Sequence, residues 1–355
     1  MQIQIEYRRF CSYIYIYKKD FLCYIILNNE FYISYDNKYN FMFFFSYFFI
    51  FLIFSFVSLH SQITVIASHG MSGTPQIAID YYKNLAQNTK IKAPRFNDYD
   101  KNGLINYDNL NLGGKDDINT LVSETNNING PLLLTGYSRG AITTINALGS
   151  GLIENEVKLI FIESPAAHIT DITTLQMQWW GCGWMPGLNK LLTNYYLPYF
   201  KIKKLDPYQT QPIHVAHNID KNIPIIILAS KKDTIIPASS SARLAKAFVD
   251  NGHKNVRLII TEEGSHVDIK EKNIELLNAI EQAIRKELKL PFDKELAHQG
   301  STILNKSILT KEKAHKIYND LFWHDWKQYS FRNLSTFSLF VLSNYLLMKK
   351  RLYAY

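Results

Sequence analysis

A chain of 355 residues is long enough to bury a large core, and its 47% hydrophobic and 14% aromatic content excludes a disordered polymer. Three cysteines, Cys11, Cys23 and Cys182, exclude a disulfide framework. The net charge of +8 comes without a nucleic-acid-binding motif or a dense basic stripe interleaved with aromatics. No nucleic acid is therefore expected as a partner, and attraction to an anionic membrane is the better reading of the charge.

Residues 1–40 are rich in Tyr, Ile, Asn and Lys, show no clear period, and read as a low-complexity leader. Residues 41–60 are different in kind. From Phe41 to Leu59 there is no charge. About 20 such residues span a bilayer as a helix, whereas a core helix of that length shows a polar face. The segment is expected to engage a membrane in one of two ways. As a signal anchor it keeps the basic leader inside and places the following domain on the non-cytoplasmic side. If Met42 is the start, it is a cleaved signal peptide with Ser58 or Ser61 near the cut, and the domain is secreted.

Residues 62–290 alternate apolar runs with helical stretches, which predicts a parallel sheet covered on both faces. The first run, Gln62 to Ser68, leads into His69-Gly70-Met71-Ser72-Gly73. Pro131 to Leu134 leads into Gly136-Tyr137-Ser138-Arg139-Gly140, and a helix-like stretch from Ala141 follows. A serine at a tight strand-to-helix turn is exposed above the sheet, and flanking glycines keep side chains out of the crossing. The helix N-terminus behind it favours negative charge beside Ser138. Further on, Ile223 to Ser230 is a buried strand with Asp233 just past its carboxyl end, where functional groups of open parallel sheets collect. Asn255 to Ile260 is one more strand, followed by Gly264-Ser265-His266.

With these four motifs in order, the chain resembles the α/β-hydrolase superfamily over residues 62–290. The resemblance implies a doubly wound, mostly parallel α/β sheet with a helical cap insertion. It implies Ser138 as nucleophile, His266 as general base and acid, and Asp233 as the carboxylate that orients the imidazole. The backbone N–H groups of Met71 and Arg139 would form the oxyanion hole, supported by His69, Gly70, Gly136 and Gly140. The expected activity is that of a serine hydrolase, with a carboxylic ester as the leading substrate and a thioester or amide beside it. Acyl transfer at the same site, or an inactive membrane-tethered binding protein on this fold, are the alternatives. No cofactor is implied. The partner is a small acyl substrate, together with a membrane through residues 41–59.

Some residues compete for roles. Glu163 also ends a strand and is a rival for the acid, with Asp233 the better fit to the order of the triad. Lys231 and Lys232 read as solvated side chains, although nearby cations favour an ionised Asp233. Glu262, Glu263 and Asp268 read as exposed loop charges, and Tyr137 as a packing residue. The Arg139 side chain, unfavourable at a helix start, is expected to point away or pair with an acid.

The cap insertion, about 165–218, holds Trp179, Trp180, Trp184 and Tyr195, aromatics that form a cap core or line an apolar substrate pocket. His214 and His217 lack a carboxylate or cysteine at ligand spacing, so no metal is expected there. His168 reads as a loop histidine. Residues 271–289 predict a closing helix with Ile274, Leu277, Ile280 and Ile284 on one face. Residues 291–355 form a helical appendage. Ile317, Leu321 and Trp326, with Tyr318 and Phe322, are expected on one apolar side, and His315 and His324 in solvent. Residues 337–348 are too short to span a bilayer.

Overall fold

The computed structural model describes residues 13–16, 23–26, 63–71, 73–96, 112–172, 210–266 and 268–332. The chain divides into two units, Met1–Ser61 and Gln62–Tyr355. In the first, β1 (Tyr13–Ile16) and β2 (Cys23–Ile26) pair antiparallel, Tyr13 opposite Ile26. The apolar run at 41–59 lies outside the described residues, as do the cap aromatics and residues 337–348. Among the described residues no helix is long and apolar enough to cross a membrane.

The second unit is built on a six-stranded sheet in the order β4-β3-β5-β6-β7-β8. Its strands are β3 (Thr64–Ser68), β4 (Lys90–Lys92), β5 (Leu132–Tyr137), β6 (Val157–Glu163), β7 (Ile225–Ser230) and β8 (Val256–Thr261). Every pairing is parallel. The strands are nearly continuous runs of Ile, Leu and Val because both faces are buried. Alternate residues feed two cores. Ile66, Leu134, Ile160 and Ile227 face one cluster, and Val65, Leu133, Phe161 and Leu228 the other. The edge strand β4 was not anticipated from sequence. It reads Lys-Ile-Lys with both lysines exposed, as suits an edge that must stay unpaired on one side. The fold is the expected doubly wound parallel α/β sheet, with a core on each face.

Local chemistry sets the helices. Helix α1 (Pro75–Tyr81) starts with Thr74 Oγ1 accepting the Ile77 N–H and proline in the first turn. Helix α2 spans Lys115–Asn126, and α3 spans Arg139–Gly149 directly behind Ser138. After the short α4 (Pro212–Val215) comes α5 (Ala238–Asp250). The expected closing helix is broken at Asn273 into α6 (Ile269–Lys272) and α7 (Ile274–Glu287). Leu277, Ile280 and Ile284 are fully buried on it, but Ile274 is 45% exposed. All four residues lie on α7, and Ile274 is its first, at the helix end where the apolar stripe meets solvent.

The carboxyl-terminal helices α8 (Lys294–Lys306) and α9 (Lys311–Arg332) pack onto this unit. Asp293 caps α8 by accepting the Leu296 N–H at 3.0 Å. Leu304 joins one core, while Leu309, Ala314 and Leu321 join the other. Ile317 and Tyr318 pack at that core's margin, while Phe322, its ring 6.2 Å from that of Tyr318, is 44% exposed. His315 and His324 approach Asp250 and Asp325 at 3.4 and 3.2 Å while remaining partly exposed. Contact between α7 and α8 depends on Gly300, where an added Cβ would meet Ala279 O at 1.9 Å. Gly300→Ala is expected to lower stability by about 1–3 kcal/mol through overpacking. A thermal melt checks this, and an unchanged midpoint would show that the two helices do not pack this closely.

Candidate active site

The carboxyl ends of β3, β5, β7 and β8 lie along one rim. The chain runs from β3 to β4 on one side and then to β5 on the other, which makes the gap beyond β3 and β5 a topological switch point. The His69-Gly70 loop and Ser138 flank that gap, with Ser68 in register with Gly136.

Ser138 has φ 54° and ψ −122°, an unusual conformation for a residue with a Cβ. It persists because its surroundings fix it. The Ser138 N–H donates to Glu163 O at 2.9 Å, and Ser138 O accepts from the Ile142 N–H at 3.1 Å. The two flanking glycines are required by close approach. A Cβ at Gly140 would lie 2.2 Å from Ser68 O, and one at Gly136 would lie 2.7 Å from the Gly140 carbonyl carbon.

His266 and Asp233 meet this serine. His266 Nε2 stands 2.7 Å from Ser138 Oγ, and Nδ1 stands 2.8 Å from Asp233 Oδ2. With its proton on Nδ1, the ring donates to the carboxylate and accepts from the hydroxyl. The backbone N–H groups of Ile235 and Ile236 both donate to Asp233 Oδ1 at 2.9 Å. Asp233 is buried, and the His266 side chain is 9% exposed.

The histidine loop has its own brace. Gly264 turns it at φ 96°, and Ser230 Oγ donates to Gly264 O. The Asp268 carboxylate accepts from the Ser265 N–H and from Ser265 Oγ, the latter at 2.8 Å. The Ser265 bonds hold that carboxyl below the usual carboxylate range. Asp268 is a loop charge, as expected, and it also braces the histidine loop through Ser265. Lys231 and Lys232 are surface residues, as expected, and their amines pair there with Glu262 and Glu263.

On the other side of the gap, His69 is buried. Its Nδ1–H donates to Gly70 O at 2.8 Å, and its ring packs on Phe96 with centroids 4.8 Å apart. A Cβ at Gly70 would lie 3.4 Å from Ser138 Cβ and 2.6 Å from the Tyr137 ring, so only glycine lets this loop close on the serine. Met71 follows, 51% exposed. The Arg139 side chain turns away from the serine into the interior. Its Nε donates to Asp117 Oδ2 at 2.7 Å and Nη2 to Oδ1 at 2.5 Å, while the guanidinium lies over Phe96 at 4.8 Å. Phe96 therefore touches both the His69 loop and the residue after Ser138. Neither Phe96 nor Asp117 has a sequence signal: Asp117 is 22 residues from its partner, on a different helix.

Glu163 does not reach His266. Tyr81 Oη donates to its Oε2 at 2.6 Å, and Tyr81 in turn packs on Tyr137 with ring centroids 5.2 Å apart. Burial pushes the Glu163 carboxyl up to about 7, against the opposing pull of the Tyr81 bond and the Lys270 ammonium. Its raised affinity stabilises the fold fully below the ordinary value of 4.5, and this contribution is lost as pH rises through about 7. Glu163→Gln should remove that slope, worth about 3 kcal/mol over the interval. Melting midpoints of parent and variant from pH 4.5 to 7.5 check it, and parallel curves would contradict it.

His168 and His214 lie ring to ring at 5.4 Å, with His168 bonded to Thr170. No group of three or more metal-ligating side chains occurs among the described residues.

No protein-family model matches the sequence, and no curated protein matches it either. Solved structures do resemble it. Alpha/beta hydrolase domain-containing protein 10 from mouse is 17% identical, with a TM-score of 0.44, covering 64% of this chain and 90% of its own. The Pyrococcus furiosus esterase Pf2001 is 16% identical, with a TM-score of 0.46, covering 65% and 82%. A structure from the LipS and LipT pair of metagenome-derived lipolytic enzymes is 17% identical, with a TM-score of 0.45, covering 65% and 95%. The grounds for the fold remain this chain's own strand order and its turn at Ser138.

Proposed function

We propose that the protein is a serine hydrolase that cleaves an ester, thioester or amide through an acyl-enzyme on Ser138, with a carboxylic ester as the leading substrate class. The observation that carries this reading is the unbroken line from Ser138 Oγ through His266 to Asp233 Oδ2, with steps of 2.7 and 2.8 Å.

A serine hydroxyl is a weak nucleophile until a neighbouring base takes its proton. In the proposed reaction His266 Nε2 accepts that proton as Oγ attacks the substrate carbonyl. The imidazolium formed is stabilised by Asp233, which also fixes the tautomer. The negative charge on the carbonyl oxygen is received by the backbone N–H groups of Met71 and Arg139, each typically worth about 3–4 kcal/mol in the transition state. His266 then returns the proton to the leaving group. Water, activated in the same way, releases the acid and restores the serine.

A hydrolysis screen of p-nitrophenyl esters of increasing acyl length, run beside peptide and lactone substrates, tests the reading. Turnover of at least one ester series is expected. Absence of turnover throughout, with a correctly folded chain, would overturn it.

A further inference from the structure

The end of β6 carries a second residue in an unusual backbone conformation. Ser164 has φ 45°. It is 2% exposed, and its Oγ–H donates to Asp233 Oδ2 at 2.8 Å, the same oxygen that receives His266 Nδ1–H. Non-glycine residues with φ in this region are strained and persist only where the structure over-determines them. Here it does. The Ser164 N–H donates to Leu228 O at 2.8 Å, and the carbonyl of Glu163 just before it accepts the Ser138 N–H at 2.9 Å. The carbonyl of Pro165 just after it accepts Ser241 Oγ at 2.9 Å. The strained turn joins the backbone of the serine turn to the carboxylate of the acid.

We propose that Ser164 is a positioning residue that holds Asp233 Oδ2 in the plane and direction from which His266 is aimed at Ser138. The inference rests on the hydrolase reading above. Two backbone N–H groups meet Oδ1, whereas the imidazole meets Oδ2. The Ser164 hydroxyl adds a side-chain donor to Oδ2 beside the imidazole. That hydroxyl shares with the imidazole Nδ1–H the task of fixing the oxygen's direction. Its loss falls on the alignment of His266, not on the binding of substrate.

Two variants separate positioning from stability. Ser164→Ala removes the hydroxyl and keeps the backbone strain, whereas Ser164→Gly removes the hydroxyl and relaxes the strain, because glycine accepts positive φ freely. Using the best p-nitrophenyl ester from the screen, both are expected to lose about tenfold in kcat with KM within about twofold, the scale of one hydrogen bond to a charged group. The glycine variant should melt above the alanine variant, because it relieves the strain at φ 45°. Equal kcat loss in two variants of different stability is not produced by a purely structural role. Parent-like kcat in the glycine variant overturns the inference and leaves the hydrolase reading standing. A parent that turns over no substrate removes that reading, and the inference with it.

Discussion

Ser138→Ala is expected to lower kcat on a p-nitrophenyl ester by about a million-fold, the scale seen when a comparable triad loses its serine. The reason is geometric. Ser138 Oγ is the atom 2.7 Å from His266 Nε2, and the backbone that presents it is an uncommon one at φ 54°. Alanine keeps the turn, the buried Arg139–Asp117 pair and both flanking glycines, so the fold should survive the change. What disappears is the only atom the imidazole can deprotonate in that line. A residual rate well above background would mean that water, or another hydroxyl, reaches the substrate by a route this geometry does not contain. Circular dichroism and melting measured alongside would keep loss of chemistry distinct from loss of structure.

Asp233→Asn should cost about ten-thousand-fold in kcat, because the amide can hold the imidazole in the wrong tautomer and cannot balance its charge. Its two backbone donors, from Ile235 and Ile236, meet Oδ1, while His266 meets Oδ2. An asparagine that keeps its oxygen toward the backbone donors turns its NH2 toward His266 Nδ1. The imidazole must then accept at Nδ1 and carry its proton on Nε2, facing Ser138. The matching change at the rival carboxylate, Glu163→Gln, should leave kcat within a few-fold, since that side chain is engaged by Tyr81 and does not reach the imidazole. Kinetics on both variants decide the point, and a larger loss at Glu163 would move the acid there.

Much of this arrangement was legible in the sequence, for identifiable reasons. Strands buried on both faces must be apolar throughout, so β5, β7 and β8 announce themselves as runs of Leu, Ile and Val. The serine turn needs glycine where Gly140 meets the Ser68 carbonyl, and such a need leaves a mark in the sequence. Asp233 and His266 follow from chain order once the serine is placed. Other features leave no mark. Ser164 is one serine among many until its backbone turns to φ 45° and aims its hydroxyl at Asp233. The Asp117–Arg139 pair joins two helices, and no local spacing encodes it. Asp268 looks like any loop acid, yet it ties down Ser265 beside the histidine. Ile274 shares the spacing of Leu277, Ile280 and Ile284 but is the first residue of α7, 45% exposed at the helix end, and spacing alone does not say where a helix begins.

Activation of one alcohol by one imidazole is read directly by an active-site-directed phosphonylating agent. The full chain would be treated with a fluorophosphonate, digested, and searched by mass spectrometry for the modified peptide. Stoichiometric phosphonylation of Ser138, abolished in the His266→Ala variant, is the result predicted here. Modification at a different serine, or Ser138 labelled equally well without the histidine, would contradict it.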